Sequence, residues 1–305
     1  MTNDGVPMVE AAERAPRNTL VGNVSGLARA CHPAPSAVVT ALVTALAAAS
    51  GRDARGCVLV ALAVLSGQLS VGWSNDLIDR GRDVAADRRD KPLATGEVRP
   101  RTVMVATGCA VVLCVPLSLA SGLLAGAAHL LGVAGGWGYN LGLKRTAASP
   151  LPYAVSFGLL PAFVALGLPG HPWPPVWAVA AGVLLGLAAH IANVLPDIDT
   201  DLADGIRGLP QRMGRRAASA VAVLALVGAS TVLVFGPPGR VGPADWAGLA
   251  VTVLLAPAAL WLPRTGAKSG SGAGAGAEDR TAFLATMGVA AVDVVLLLLR
   301  GSTLA

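Results

Sequence analysis

Stretches of about 20 apolar residues, the length a helix needs to cross a bilayer, recur nine times along this 305-residue chain. They lie at roughly 34–51, 56–75, 102–119, 121–140, 150–168, 175–195, 216–236, 244–263 and 281–299. The first is the weakest, being short, Ala-rich and preceded by His32, Pro33 and Pro35. Nine helices apolar all round would leave a soluble protein no polar face to wet. The pattern therefore predicts an all-α membrane protein with nine transmembrane helices. A mean hydropathy of +0.63 agrees with it.

The basic residues orient the chain. With nine spans and an inside N-terminus, nineteen of the 23 Lys and Arg residues fall in inside segments. Only Arg52, Arg55, Arg240 and Arg300 fall outside. This positive-inside asymmetry predicts an N-in, C-out protein of the cell (plasma) membrane with its active site facing the cytoplasm. It also explains the +5 net charge through membrane lipid contact and topology, without nucleic acid.

Residues 1–33 read as an N-terminal cytoplasmic or interfacial segment without a cleavable signal peptide. Within it Thr19–Ala30 suits a short helix lying on the membrane surface. Residues 34–299 read as one transmembrane domain. It includes a low-complexity loop at 264–280, whose stretch 266–277 reads GAKSGSGAGAGA, and residues 300–305 form a short tail. Cys31, Cys57, Cys109 and Cys114 form no CxxC pair and read as small buried hydrophobes.

Two acidic patterns repeat 118 residues apart. Asn75, Asp79 and Asp83 stand at i, i+4, i+8, and Asn193, Asp197 and Asp201 keep the same spacing. On a helix, steps of four hold one face roughly in line. Each set ends an apolar segment on the predicted cytoplasmic side. The offset suggests an internal repeat relating spans two and three to spans six and seven, with both sets at one end of a shared cavity. Five carboxylates, Asp76 included, would repel one another there. Clustered carboxylates imply a cation, and oxygen-only ligands suit Mg²⁺, which takes further ligands from substrate phosphates. Asp87, Asp90, Asp199 and Asp204 fall outside the register and read as solvated loop residues.

Basic groups stand close by. Arg80, Arg82, Arg88, Arg89 and Lys91 follow the first motif, and Arg207, Arg212, Arg215 and Arg216 follow the second. Lys91, in a loop defined by Pro92 and Gly96, is the better diphosphate ligand. Lys144, Arg145 and Tyr139 follow or end the fourth span, where a plain membrane-interface tyrosine explains Tyr139 equally well. His129, His190 and Asp293 are the main ionisable groups within the spans. His190 shares a helix face with Asn193. Asp293 has no evident partner. Few aromatic side chains lie in the spans, so no stacking platform for a flat acceptor is visible.

These residues resemble the UbiA superfamily of intramembrane prenyltransferases. That family carries an NDxxDxxxD motif and a DxxxD motif, standing here as Asn75-Asp76-x-x-Asp79-x-x-x-Asp83 and Asp197-x-x-x-Asp201. Asp90–Gly96 is similar to the family's basic-Pro-x-x-Ser/Thr-Gly loop. Gly205–Gly214 is similar to its G-x-x-T-L…G segment, with Gly208 where Thr is usual. Tyr139 and Lys144 depart from its Tyr-x-x-x-Lys spacing by one residue. The resemblance implies a nine-helix bundle around a lipid-open cavity. Asp76, Asp79, Asp83, Asp197 and Asp201 would hold about two Mg²⁺ ions that grip an isoprenyl diphosphate donor. Asn75, Asn193, Lys91, Lys144, Arg145 and Tyr139 would help hold the diphosphate, and a lipophilic or aromatic acceptor would receive the prenyl group. A terpene cyclase of the same superfamily is the alternative. A transporter with acidic gates is more remote, because the carboxylates crowd one membrane face.

Overall fold

The structure is a computed structural model, and it describes residues 20–260 and 273–304. Among them every regular element is helical. A short helix α1 (Leu20–Ala30) leads into α2 (Pro33–Ala49). Then come α3 (Ala54–Ala85), α4 (Pro100–Leu119), α5 (Leu123–Leu141), α6 (Leu151–Ala165) and α7 (Val176–Val194). The short α8 (Ile198–Ala203) precedes α9 (Leu209–Phe235), α10 (Pro243–Leu260) and α11 (Ala273–Leu299).

A helix lies over each of the nine apolar segments. By length and apolarity, four helical stretches are able to cross a membrane: Ala54–Ala85, Pro100–Leu119, Val176–Ala203 and Leu209–Phe235. The bent pair Asn23–Ala30 and Pro33–Ala49 makes a fifth if counted as one span. Leu151–Ala165, Pro243–Ala256 and Ala285–Leu299 are apolar but shorter. The protein is thus an integral membrane protein. Residues 1–19 and 261–272, the latter including 264–272 of the predicted low-complexity loop, lie outside the described residues. Positions 273–280, read from sequence as part of that loop, instead belong to the first turns of α11.

Local chemistry sets the ends. Asp53 caps α3 by accepting from the Gly56 N–H at 2.8 Å. Proline opens the first turn of α2, α4, α6 and α9, where its missing N–H costs nothing. Pro116 and Pro161 lie inside helices, as membrane packing allows. Gly214 (φ 77°) interrupts α9, so its membrane segment begins at about the residue expected.

Packing contacts place α2, α3, α5, α6, α7, α9 and α11 in a ring that closes back on α2. Helix α4 lies against α3 and α5, and α10 against α9 and α11. The main core joins Val43, Leu46, Val60, Val64, Phe163, Ala178, Leu233 and Leu296. It gathers the start of α3 and α7 and the end of α9, so one end of the bundle is filled. The acidic motifs lie at the other ends of α3 and α7, about 25 Å along the helices. Outward faces stay apolar: Val112 is 71% exposed and Leu254 76%. Apolar surface of that kind suits lipid.

Candidate functional site

The first motif occupies the last turns of α3, which run unbroken to Ala85. The i, i+3, i+7 spacing therefore turns Asp76, Asp79 and Asp83 roughly the same way, and they are 1%, 5% and 3% exposed. Such buried carboxylates demand partners. Lys91 donates from Nζ to Asp76 Oδ1 at 2.8 Å. His32 Nε2 lies 3.2 Å from the same oxygen and 3.2 Å from Lys91 Nζ. Lys144 donates to both Asp79 oxygens at 2.7 Å and reaches Asn75 Oδ1 at 3.5 Å. Arg82 adds a 3.3 Å contact to Asp79 Oδ2. Asp83 makes no ion pair among the described residues.

Three local folds deliver these partners. The Lys91 carbonyl accepts the Ala94 and Thr95 N–H groups at 3.0 Å, and Gly96 (φ +74°) closes that turn. Lys144 sits in a 3₁₀ turn, Leu143–Arg145, directly after α5. Asn140 pins the end of α5 to α3, donating to the Val71 carbonyl and Ser74 Oγ, both at 2.9 Å. His32, in the left-handed region (φ 54°), makes the 66° bend between α1 and α2. The bend rests on α3 at Gly72, where a Cβ would stand 2.5 Å from the Cys31 carbonyl oxygen. Trp73 Nε1 donates to the Leu27 carbonyl at 2.9 Å, and Arg29 pairs with Glu97 at 2.7 Å. Helix α1 is thereby laid over the first motif.

The second motif is built differently. Asn193 is exposed near the end of α7, and Pro196 converts the chain to a 3₁₀ turn that holds Asp197. Asp201 then lies on α8, half-buried, and accepts from Gln211 Nε2 at 2.9 Å. The triplet therefore runs through a 3₁₀ turn at Pro196, where the missing N–H interrupts the α-helical ladder. Asp204, expected to be a solvated loop residue, instead pairs with Arg82 at 3.7 Å and ties the second loop to the first motif. Asp199 pairs with Arg215 at 3.0 Å and is 85% exposed.

Both motifs open on one mouth. Asp201 lies within electrostatic reach of Arg82 and Lys144 as well as Asp197. Arg88, bound through two 2.9 Å contacts to Asp90, also feels Asp197 and Asp83. That guanidinium holds the Asp90 carboxyl at about 2, well below its usual range, so Asp90 too is paired. Burial lowers the Lys144 ammonium from its ordinary value, and the Asp79 pairing opposes that. Arg145 is exposed.

An aromatic group lies beside this mouth, contrary to the sequence expectation. Tyr139 from α5 meets Tyr153 from α6 edge-on at 5.3 Å and His190 from α7 at 5.6 Å. Tyr153 also meets His190 at 5.1 Å and stacks on Phe157 at 6.4 Å. Tyr139 is within reach of the charges on both Asp79 and Asp201. His190 is 0% exposed, so it supports the ring cluster from behind rather than lining open space. Its Nε2 lies 3.1 Å from Ser149 Oγ, which accepts the Leu209 N–H at 3.0 Å. The loop after the second motif closes over this point at Gly208. A Cβ there would stand 2.7 Å from the Lys144 carbonyl oxygen and 2.8 Å from Ser149 Oγ.

Two other buried polar groups lie apart from the mouth. His129 takes Ser118 at 2.8 Å and stacks on Phe163. Asp293 does have a partner: Ser230 donates to it, and Ser230 lies 2.9 Å from Thr252.

Among the described residues, no three His, Cys, Asp or Glu groups stand close enough to share one ion. The donor set nevertheless fits a hard cation. It is all oxygen, Asp76 Oδ2 is buried without a hydrogen-bond partner, and Asp83 makes no ion pair among the described residues.

Fold and site together define a helical membrane protein with a doubled acidic mouth. The chain belongs to the UbiA prenyltransferase family, whose family model matches residues 37–298. Solved structures share its fold at low identity. One is from a study of digeranylgeranylglyceryl phosphate synthase in membranes. It is 13% identical, with a TM-score of 0.62, covering 92% of this chain and 99% of that one. A UbiA homologue from Archaeoglobus fulgidus, bound to GPP and Mg²⁺, is 18% identical with a TM-score of 0.61, covering 89% and 99%. The apo UbiA homologue from Aeropyrum pernix K1 is 18% identical with a TM-score of 0.60, covering 90% and 98%. A comparison with curated proteins finds no match.

Proposed function

We propose that this protein transfers an isoprenyl group from an isoprenyl diphosphate to a lipophilic or aromatic acceptor, inside the membrane and with Mg²⁺. The observation that carries this reading is the shared mouth: two acidic motifs facing Lys91, Lys144, Arg82 and Arg88. Carboxylates alone would suit a cation and lysines alone an anion. Their mixture suits a diphosphate delivered with its metal. The relatives bound to GPP or DMAPP with Mg²⁺ support that ligand class.

In this reading Asp76, Asp79, Asp83, Asp197 and Asp201 hold the metal, with Asn75 and Asn193 beside them. Bound Mg²⁺ would supply the positive charge that steadies the leaving diphosphate. Lys91, Lys144 and Arg145 take the phosphate oxygens through charge-assisted bonds. The allylic C–O bond breaks, its electron pair leaves with the diphosphate, and positive charge develops on the allyl group. Tyr139, within reach of Asp79 and Asp201, and its neighbour Tyr153 would offer ring faces that attract a cation. The acceptor's electrons form the new C–C bond and the acceptor then loses a proton. Apolar walls keep water from quenching the cation first. In this reading a nine-span, N-inside topology, supported by the distribution of Lys and Arg, would put the mouth on the cytoplasmic face.

The test is mass spectrometry of the organic extract after incubating purified protein with Mg²⁺, geranylgeranyl diphosphate and a panel of phenolic and quinone-precursor acceptors. A prenylated adduct is expected. A cyclic terpene formed without acceptor would move the assignment to a cyclase.

A further inference from the structure

Two of the carboxylates that the reading above assigns to the metal are already taken, Asp79 at both oxygens and Asp76 at one. Lys144, 7% exposed, holds both oxygens of Asp79, and Lys91 holds Asp76 Oδ1. The same two lysines are the mouth's best phosphate donors. An arriving phosphate must share these ammonium groups with the carboxylates or draw them away.

We propose that Lys91 and Lys144 act as resident counter-ions, so that the site admits metal and diphosphate together and resists the metal alone. The inference rests on the metal–diphosphate reading of this mouth. A metal ion entering alone at Asp76 or Asp79 must either displace an ammonium from a buried carboxylate or sit beside it, and like charges at such distances repel strongly in a poorly solvated site. When a diphosphate arrives with the metal, each lysine has a new anionic partner within side-chain reach. The carboxylates are then released to the metal, and no charge is left buried alone. Lys144 carries the larger share, because it occupies both Asp79 oxygens and is the more buried. Gly208 keeps it there: the loop after the second motif packs on the Lys144 carbonyl with no room for a Cβ.

The test measures binding of Mn²⁺, a spectroscopic stand-in for Mg²⁺, by electron paramagnetic resonance. It uses the purified full chain in nanodiscs, with and without geranyl S-thiolodiphosphate, which resists ionisation. Wild-type protein is expected to bind Mn²⁺ weakly alone and at least about tenfold tighter with the thiolodiphosphate. Lys144→Gln should bind Mn²⁺ alone about tenfold tighter than wild type and lose most of the enhancement. Lys144→Arg, which keeps the charge, should behave like wild type. Equal Mn²⁺ affinity of wild type with and without the thiolodiphosphate would overturn the proposal, whatever the variants do. So would Lys144→Gln binding no tighter than wild type. Wild type binding no Mn²⁺ under either condition would overturn the metal–diphosphate reading itself, which separates the two failures.

Discussion

The Asp79–Lys144 pair offers a stability prediction with a stated size. Both side chains are buried, 5% and 7% exposed, and two 2.7 Å contacts join them. Removing one partner of such a pair leaves a buried charge uncompensated and costs about 3–5 kcal/mol. Asp79→Asn leaves Lys144 facing Arg82 with no full negative charge between them, and Lys144→Met leaves Asp79 with only the longer 3.3 Å contact. Each single variant should therefore lose about 3 kcal/mol, and the double variant much less than the sum, a coupling of about 2–3 kcal/mol. The assay is reversible unfolding in mixed micelles, read by circular dichroism. The Arg89–Asp87 pair, 85% and 80% exposed, is the control and should show no measurable coupling. Additive losses at Asp79 and Lys144, within about 0.5 kcal/mol, would refute the argument.

Other outcomes follow from the same geometry. Asp197→Ala, at an exposed position, should keep the fold and abolish turnover, checked by unfolding midpoint and pyrophosphate release together. Gly208→Ala should raise the donor KM more than tenfold with a smaller effect on kcat, because its Cβ pushes the Lys144 turn aside; steady-state kinetics would read this. Trp73→Phe loses the bond to the Leu27 carbonyl, about 1 kcal/mol, and should speed proteolysis within α1. Chelation by EDTA should reduce pyrophosphate release to background, and Mg²⁺ should restore it.

Some of this was legible in the sequence. The nine apolar segments each correspond to a helix, since continuous apolarity leaves a membrane chain little else to form. The first motif was readable because α3 runs unbroken through Asp83, so spacing translates directly into direction. The second differs in detail, because a 3₁₀ turn at Pro196 stands between Asn193 and Asp201. Lys91 was visible through the turn that Pro92 and Gly96 impose.

The remaining partners were not visible because long-range packing sets them. His32 reaches Asp76 across 44 residues through a chain bend that reads only as a proline-rich helix start. Tyr139, Tyr153 and His190 come from three helices, so sparse aromatics along the chain still gather in space. Gln211 lies inside the segment similar to the family's second loop, but nothing in its spacing assigns it to Asp201.

The most direct measurement is pyrophosphate release by purified protein with Mg²⁺ and geranylgeranyl diphosphate, with and without acceptors. The account predicts release that depends on Mg²⁺ and on an acceptor, that yields a prenylated adduct, and that disappears in Asp197→Ala. Wild-type rates in Asp197→Ala, or no release with any acceptor or prenyl chain length, would contradict it.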